Sequence, residues 1–148
     1  MRLLLVSDGQ TGIDFFPELL EFLQKKVVGL DIESAFVPFP EDIPAKVASL
    51  AGRFDLIFVF ALYLKPDFRI QALLSKLVDI EIRKKVKIIK AIVQSDAGDL
   101  GEEQLQKEKQ RLAEEWSDFI AGFIKDPDSF RPKKREENDE EAGLFGDI

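Results

Sequence analysis

Leu56-Ile57-Phe58-Val59-Phe60-Ala61-Leu62 carries no polar side chain over seven residues. A strand with one wet face alternates apolar and polar residues. An unbroken apolar strand must be covered on both faces. Seven residues fit a strand and are short for a buried helix. The run therefore predicts a strand of a parallel sheet with helices on both sides.

The sequence on either side repeats that alternation. Leu3 to Val6, Ile32 to Val37 and Val86 to Val93 are further strand candidates, the first ended by the turn-like Ser7-Asp8-Gly9. Ile13 to Val28 reads as a helix, with Leu19, Leu20, Leu23 and Val27 on one face, Pro17 in its first turn and Gly29 closing it. Asp42 is the expected N-cap of a short helix from Ile43 to Ala51, with Pro44 in the first turn and Gly52 as its C′ residue. Asp67 is the expected cap of a third helix containing Ile70, Leu73, Leu74, Leu77 and Val78. Asp99 and Glu102 have capping-box spacing before a last helix, whose Leu105, Leu112, Trp116, Phe119, Ile120 and Phe123 fall at helical intervals. Four β-α units with short connections predict an α/β fold. The expected form is a three-layer α/β/α sandwich with a four-stranded parallel sheet, flavodoxin-like in topology, over residues 1–127.

Composition excludes several chemistries. The chain has 148 residues, enough for one well-buried core. It has no Cys and no His, so disulfides, thiolate metal sites, Ser-His-Asp catalysis and imidazole zinc sites are excluded. Acid-base work would fall to carboxylates, Lys, the lone Tyr63, backbone or water. A net charge of −7 argues against non-specific nucleic-acid binding. No apolar run is long enough to span a membrane, and Asp8-Gly9-Gln10 cuts the opening run short of a signal peptide; a soluble, cytoplasmic protein is expected. Residues 128–148 change character: Lys133-Lys134-Arg135 is followed by an acidic run to Glu141, then Leu144, Phe145 and Ile148. Such like-charge blocks read as a disordered, solvated extension, or as a tail docking on a neighbouring subunit through those three apolar residues.

Ligands of open α/β sheets bind beyond the carboxyl ends of the strands. Four segments qualify: Ser7 to Asp14, Pro38 to Asp42, Tyr63 to Asp67 and Gln94 to Asp99. In the first, Asp8-Gly9-Gln10-Thr11-Gly12 leads into a helix, where backbone N–H groups favour an anion. The P-loop Lys and the full dinucleotide fingerprint are both missing. A plain β-to-α turn and a phosphate or ribityl contact remain alternatives. Thr11-Gly12 resembles the phosphate loop of flavodoxins in those two residues. A response-regulator pocket around Asp8 needs an Asp ending the third strand, which reads Phe60-Ala61-Leu62-Tyr63 instead. Phe15 and Phe16 either stack on a flat heterocycle or belong to the core.

The second segment, Val37-Pro38-Phe39-Pro40-Glu41-Asp42-Ile43-Pro44, resembles the V-P-G-x-x-E-x-P turn of the lumazine synthase family, and more closely the archaeal riboflavin synthases of that superfamily. Phe54-Asp55-Leu56-Ile57, Ile88 to Val93, and Glu102 to Pro127 resemble other family segments in order and spacing. The family Gly after Val-Pro is Phe39 here, the Gly ending the third strand is Ala61, and the lumazine synthase His is missing.

The resemblance implies a lumazine synthase-like fold and a homo-oligomer, commonly a pentamer, with its site between subunits. It implies a small heterocyclic ligand and a riboflavin-pathway enzyme that passes a four-carbon unit between two ribityl-lumazine molecules. It implies no tightly bound cofactor, and Mg²⁺ only for the riboflavin synthase type. No protein metal ligands are assigned. Asp8, Asp42 and Lys65 are the candidate catalytic residues. Gln10, Thr11, Phe15, Phe16, Phe39, Glu41 and Tyr63 are the candidate ligand contacts, Glu41 being the alternative turn carboxylate. Asp42 as a mere N-cap, Lys65 as a solvated loop residue and Glu41 as a solvated acid are the competing readings. Two other functions stay open: an inactive paralogue that binds a flavin or pterin or only scaffolds, and a flavodoxin-like electron carrier that binds FMN.

Overall fold

The computed structural model describes residues 1–10, 13–63, 68–94 and 101–130. Four strands alternate with four helices: β1 (Arg2–Asp8), α1 (Phe16–Lys26), β2 (Asp31–Val37), α2 (Ile43–Leu50), β3 (Leu56–Tyr63), α3 (Arg69–Lys84), β4 (Lys87–Gln94) and α4 (Glu102–Lys125). Short 3₁₀ turns occupy Pro40–Asp42, Ala51–Arg53 and Pro127–Phe130.

All strand pairs are parallel, in the order β2-β1-β3-β4. The register pairs Leu5 with Ser34 on one side and with Phe58 on the other. β3 is an interior strand, buried along nearly its whole length as a strand covered on both faces should be. Alternation along the strands sorts the core into two halves. Leu4, Val6, Ile57, Val59 and Ile88 pack with α2 and α3. Leu3, Leu5, Phe58, Phe60 and Ile89 pack with α1 and α4. The order explains this split. The chain steps outward from β1 to β2, then back past β1 to β3 and on to β4. With one crossover hand throughout, α1 must lie on the opposite face from α2 and α3. The result is an α/β fold with two helices on each face of the sheet. Among the described residues no helix is long and apolar enough to cross a membrane.

Element types follow the periodicity, whereas several helix ends differ from expectation. α1 begins at Phe16, later than Ile13, because Asp14 accepts the Phe16 N–H and turns the chain first. Pro17 does lie in its first turn. Val27 is already extended, and Gly29 takes φ +77 in the turn beyond. Asp42 stands directly before α2, but its backbone is helical and its side chain makes no capping hydrogen bond. The preceding 3₁₀ turn leads straight into the helix, so the extended N-cap geometry never forms. Gly52 is inside the Ala51–Arg53 turn, with no left-handed C′ conformation. The left-handed residue is Lys85, at φ 53, between α3 and β4. Gly101 is the N-cap of α4 and Glu102 its first residue, so Glu102 cannot be the third residue of a capping box. Asp67 and Asp99 lie outside the described residues, as does the charged segment from residue 131. The Pro127–Phe130 turn packs against α4, so the described fold extends slightly past Pro127.

Two polar clusters tie neighbouring elements together. Lys90 on β4 and Glu81 on α3 pair at 2.5 Å, and Glu81 also accepts the Ile88 N–H at 2.8 Å. Burial pushes the Glu81 carboxyl up. The Lys90 hydrogen bond, the Ile88 N–H and the Lys90 and Lys87 charges outweigh it and hold the carboxyl below its ordinary range. Across the other face, Lys26 of α1 donates to Ser117 of α4 at 2.6 Å and pairs with Asp118. Exposed pairs such as Arg111 with Glu108 and Glu115 contribute little beyond local helix support.

Candidate functional site

The strand order places the reversal of winding between β1 and β3. The connection after β1 leads to the α1 face and that after β3 to the α3 face, and in such sheets the ligand crevice lies at the carboxyl ends of these strands. Asp8 is the last residue of β1 and is 3% exposed. Among the described residues it is the one charged side chain in the buried set. Its Oδ2 accepts the Gln10 N–H at 3.0 Å, an Asx turn that bends the chain out of the strand. Gly9 donates its N–H to the Val37 carbonyl at 2.8 Å, which holds this turn to the end of β2.

Alternation puts Asp8 on the face of Leu4 and Val6. The register sets it level with Ala61, two residues short of Tyr63, on the face shared by Ala61 and Tyr63. Tyr63 ends β3 and is largely buried there. The Pro40–Asp42 turn packs against β1 and the start of α3, roofing this end of the face with the buried Pro40. Ser7 fixes the facing strand: its hydroxyl donates to the Phe60 carbonyl at 2.9 Å inside the sheet.

The other expected site residues divide into three groups. Gln10, Phe39, Glu41 and Asp42 are exposed around the carboxyl end of β1 and β2. Glu41 faces Arg69 of α3 at a loose 3.5 Å. Thr11 and Lys65 lie outside the described residues. Phe15 and Phe16 belong to the core. Phe15 is fully buried and meets Phe60 edge-on at 4.7 Å, and Phe16 packs beside Phe15 and Phe58. The α1 helix starts by driving both rings under the sheet, so neither offers a stacking surface to a ligand.

The exposed aromatic surface comes from β2 instead. Phe39 is 50% exposed on extended backbone after Val37-Pro38. Phe36 is half-exposed, with its ring 5.4 Å from that of Phe16. Phe36 and Arg69 were missed as rim residues. The signal for Phe36 was its place one residue before the Val-Pro turn, on a strand less apolar than its neighbours. Nothing in the local sequence marked Arg69.

Chemically, a buried carboxylate at the sheet end can accept a hydroxyl or ring N–H, or take a proton, and a half-exposed Phe ring can stack on a heterocycle. Among the described residues no group of three or more acidic side chains converges to hold a metal ion. Compared with known proteins, the chain matches no family model and no curated protein sequence.

Proposed function

We propose that the chain binds a ribityl-bearing heterocycle at the β1/β3 crevice and works as a riboflavin-pathway enzyme of the archaeal riboflavin synthase type. The observation that carries this reading is Asp8, a buried carboxylate ending β1 at the point where the winding reverses. The turn resembling V-P-G-x-x-E-x-P lies over the same end of the sheet. Transfer of a four-carbon unit between two lumazine rings starts with loss of a proton from an acidified methyl group. In this reading Asp8 accepts that proton or a hydrogen bond from a ribityl hydroxyl. Holding two rings face to face supplies much of the remaining rate. Phe39 stacks on a ring at the rim. The site is shared with a neighbouring copy in a homo-oligomer, with the exposed Phe36 of β2 and Phe39 of the turn after it as the open side.

A second reading, binding of the same ligand class without turnover, is favoured by the exposure of Asp42 and Glu41. Their exposure leaves Asp8 as the only buried acid described at the site. The FMN electron-carrier reading, which calls for a five-stranded sheet, is less well supported by the four-stranded sheet seen. Mixing the protein with 6,7-dimethyl-8-ribityllumazine, with and without Mg²⁺, separates these readings by absorbance and fluorescence. Growth of a riboflavin spectrum supports the synthase. A ligand shift without turnover supports the binding protein. No change in either signal overturns both.

A further inference from the structure

The amino end of the sheet carries a basic corner beside an uncovered apolar stripe. α3 descends from the carboxyl ends of the strands and finishes at Lys84, Lys85 turns the chain in the left-handed conformation, and β4 starts at Lys87. Lys84 and Lys85 are exposed and make no ion pair among the described residues. Along the outer flank of α3, Leu74, Val78 and Ile82 follow one another at intervals of four, with Val78 41% and Ile82 70% exposed. Glu81 on that flank reaches Lys87 and Lys90 of β4, so the stripe borders the open edge of the sheet.

α4 also descends to the amino end, so the Pro127–Phe130 turn leaves the fold at the same end as this corner. The chain that follows is complementary to it. Residues 136–141 hold five acidic side chains, and Leu144, Phe145 and Ile148 come after them. α3 and α4 lie on opposite faces, roughly 20 Å apart if each layer is about 10 Å from the next. Six residue steps separate Phe130 from Glu136, a reach of about 20 Å when fully extended. That length brings the acidic run to the basic corner and the apolar residues to the stripe.

We propose that residues 136–148 dock on their own chain at this corner. The acidic run lies against Lys84, Lys85 and Lys87, and Leu144, Phe145 and Ile148 cover Val78 and Ile82. The corner is at the opposite end of the sheet from Asp8, so the docked segment leaves the candidate site open. Association depends on charge and weakens with salt, whose screening length falls from about 10 Å at 0.1 M to about 3 Å at 1 M.

The chain has no Cys, so Gly143→Cys in the full-length protein takes a single spin label. In the ¹⁵N-labelled protein, amides of residues 78–87 should lose intensity relative to the reduced label. The loss should disappear near 1 M salt and in Lys84→Glu/Lys85→Glu, whose unchanged urea midpoint confirms that it folds. Absence of broadening, or broadening confined to other elements, overturns the proposal. Broadening seen only when a spin-labelled unenriched chain is mixed with an unlabelled ¹⁵N chain also overturns it, by assigning the segment to a second copy.

Discussion

Lys90 and Glu81 meet at 2.5 Å between β4 and α3, with side chains only 17% and 16% exposed. The pair anchors an edge strand to the helix preceding it in the chain. Lys90 also reaches the Ile88 carbonyl and Glu81 the Ile88 N–H, so both ends are held. Removing one partner leaves the other partly desolvated. Glu81→Gln should cost about 1–3 kcal/mol. At roughly 2–4 °C per kcal/mol for a chain of this size, the loss is readable in Tm.

The same pair sets a pH signature. Glu81 titrates below its ordinary value in the folded chain. Its ionic contribution is complete above the unfolded glutamate pKa of about 4.3 and is lost as pH falls through the lowered folded value. The stability gap between wild type and Glu81→Gln should be constant from pH 7 to 5 and shrink towards pH 3. Urea midpoints at those pH values test this. An equal gap at pH 3 and pH 7 would show that the carboxylate charge contributes nothing.

Lys26 and Ser117 hold α1 to α4 across the other face. Ser117 is fully buried and its hydroxyl still donates to the Glu114 carbonyl, so Lys26→Met leaves no orphan donor there. Each of Lys26→Met and Ser117→Ala should cost about 1 kcal/mol. Because the two share one hydrogen bond, the double variant should cost less than the sum by about 0.5–1 kcal/mol. Strict additivity in denaturant unfolding would dissolve the link.

Phe15 separates core from ligand roles. Phe15→Ala empties a fully buried position against Phe60 and should cost about 3–5 kcal/mol. Phe15→Leu keeps most of the volume and should cost under about 1.5 kcal/mol. If the ring is only core, lumazine affinity in Phe15→Leu equals that of wild type. A large loss of affinity in a stably folded Phe15→Leu would restore a stacking role.

The layers were legible because the burial that orders them writes itself into composition. A run like Leu56 to Leu62 has one physical solution, a strand covered twice, and helical spacing at Leu73 and Leu77 or Leu112 and Ile120 has another. Helix ends were less legible. Asp42 carries the right side chain for a cap, but a 3₁₀ turn after Pro40 fixes its backbone in the helical region. Asp8 stood out in the sequence as a candidate because strand ends in this topology attract ligands. Phe15 and Phe16 were ambiguous because a ring beside a loop looks the same in sequence whether it turns inward or outward. The exposure of Phe36 depends on how far α1 covers an edge strand, and tertiary packing alone decides that.

Asp8 and Asp42 make opposite predictions from the same substitution. Asp8 is buried at the end of β1 and serves the Gln10 turn through one carboxylate oxygen. Asparagine preserves its shape and keeps a carbonyl oxygen for that N–H, so folding should change little while the charge is lost. A charge-assisted hydrogen bond contributes about 1.5–3 kcal/mol, so Asp8→Asn should weaken ribityllumazine binding by about 10- to 100-fold and abolish any turnover that uses Asp8 as base. Asp42 is exposed and caps nothing through its side chain. Asp42→Asn should shift stability by less than about 0.5 kcal/mol and leave affinity near wild type. Ligand titration of both variants, with urea midpoints alongside, decides between them. If Asp42→Asn loses affinity and Asp8→Asn does not, the site lies over β2 and outside the β1/β3 crevice.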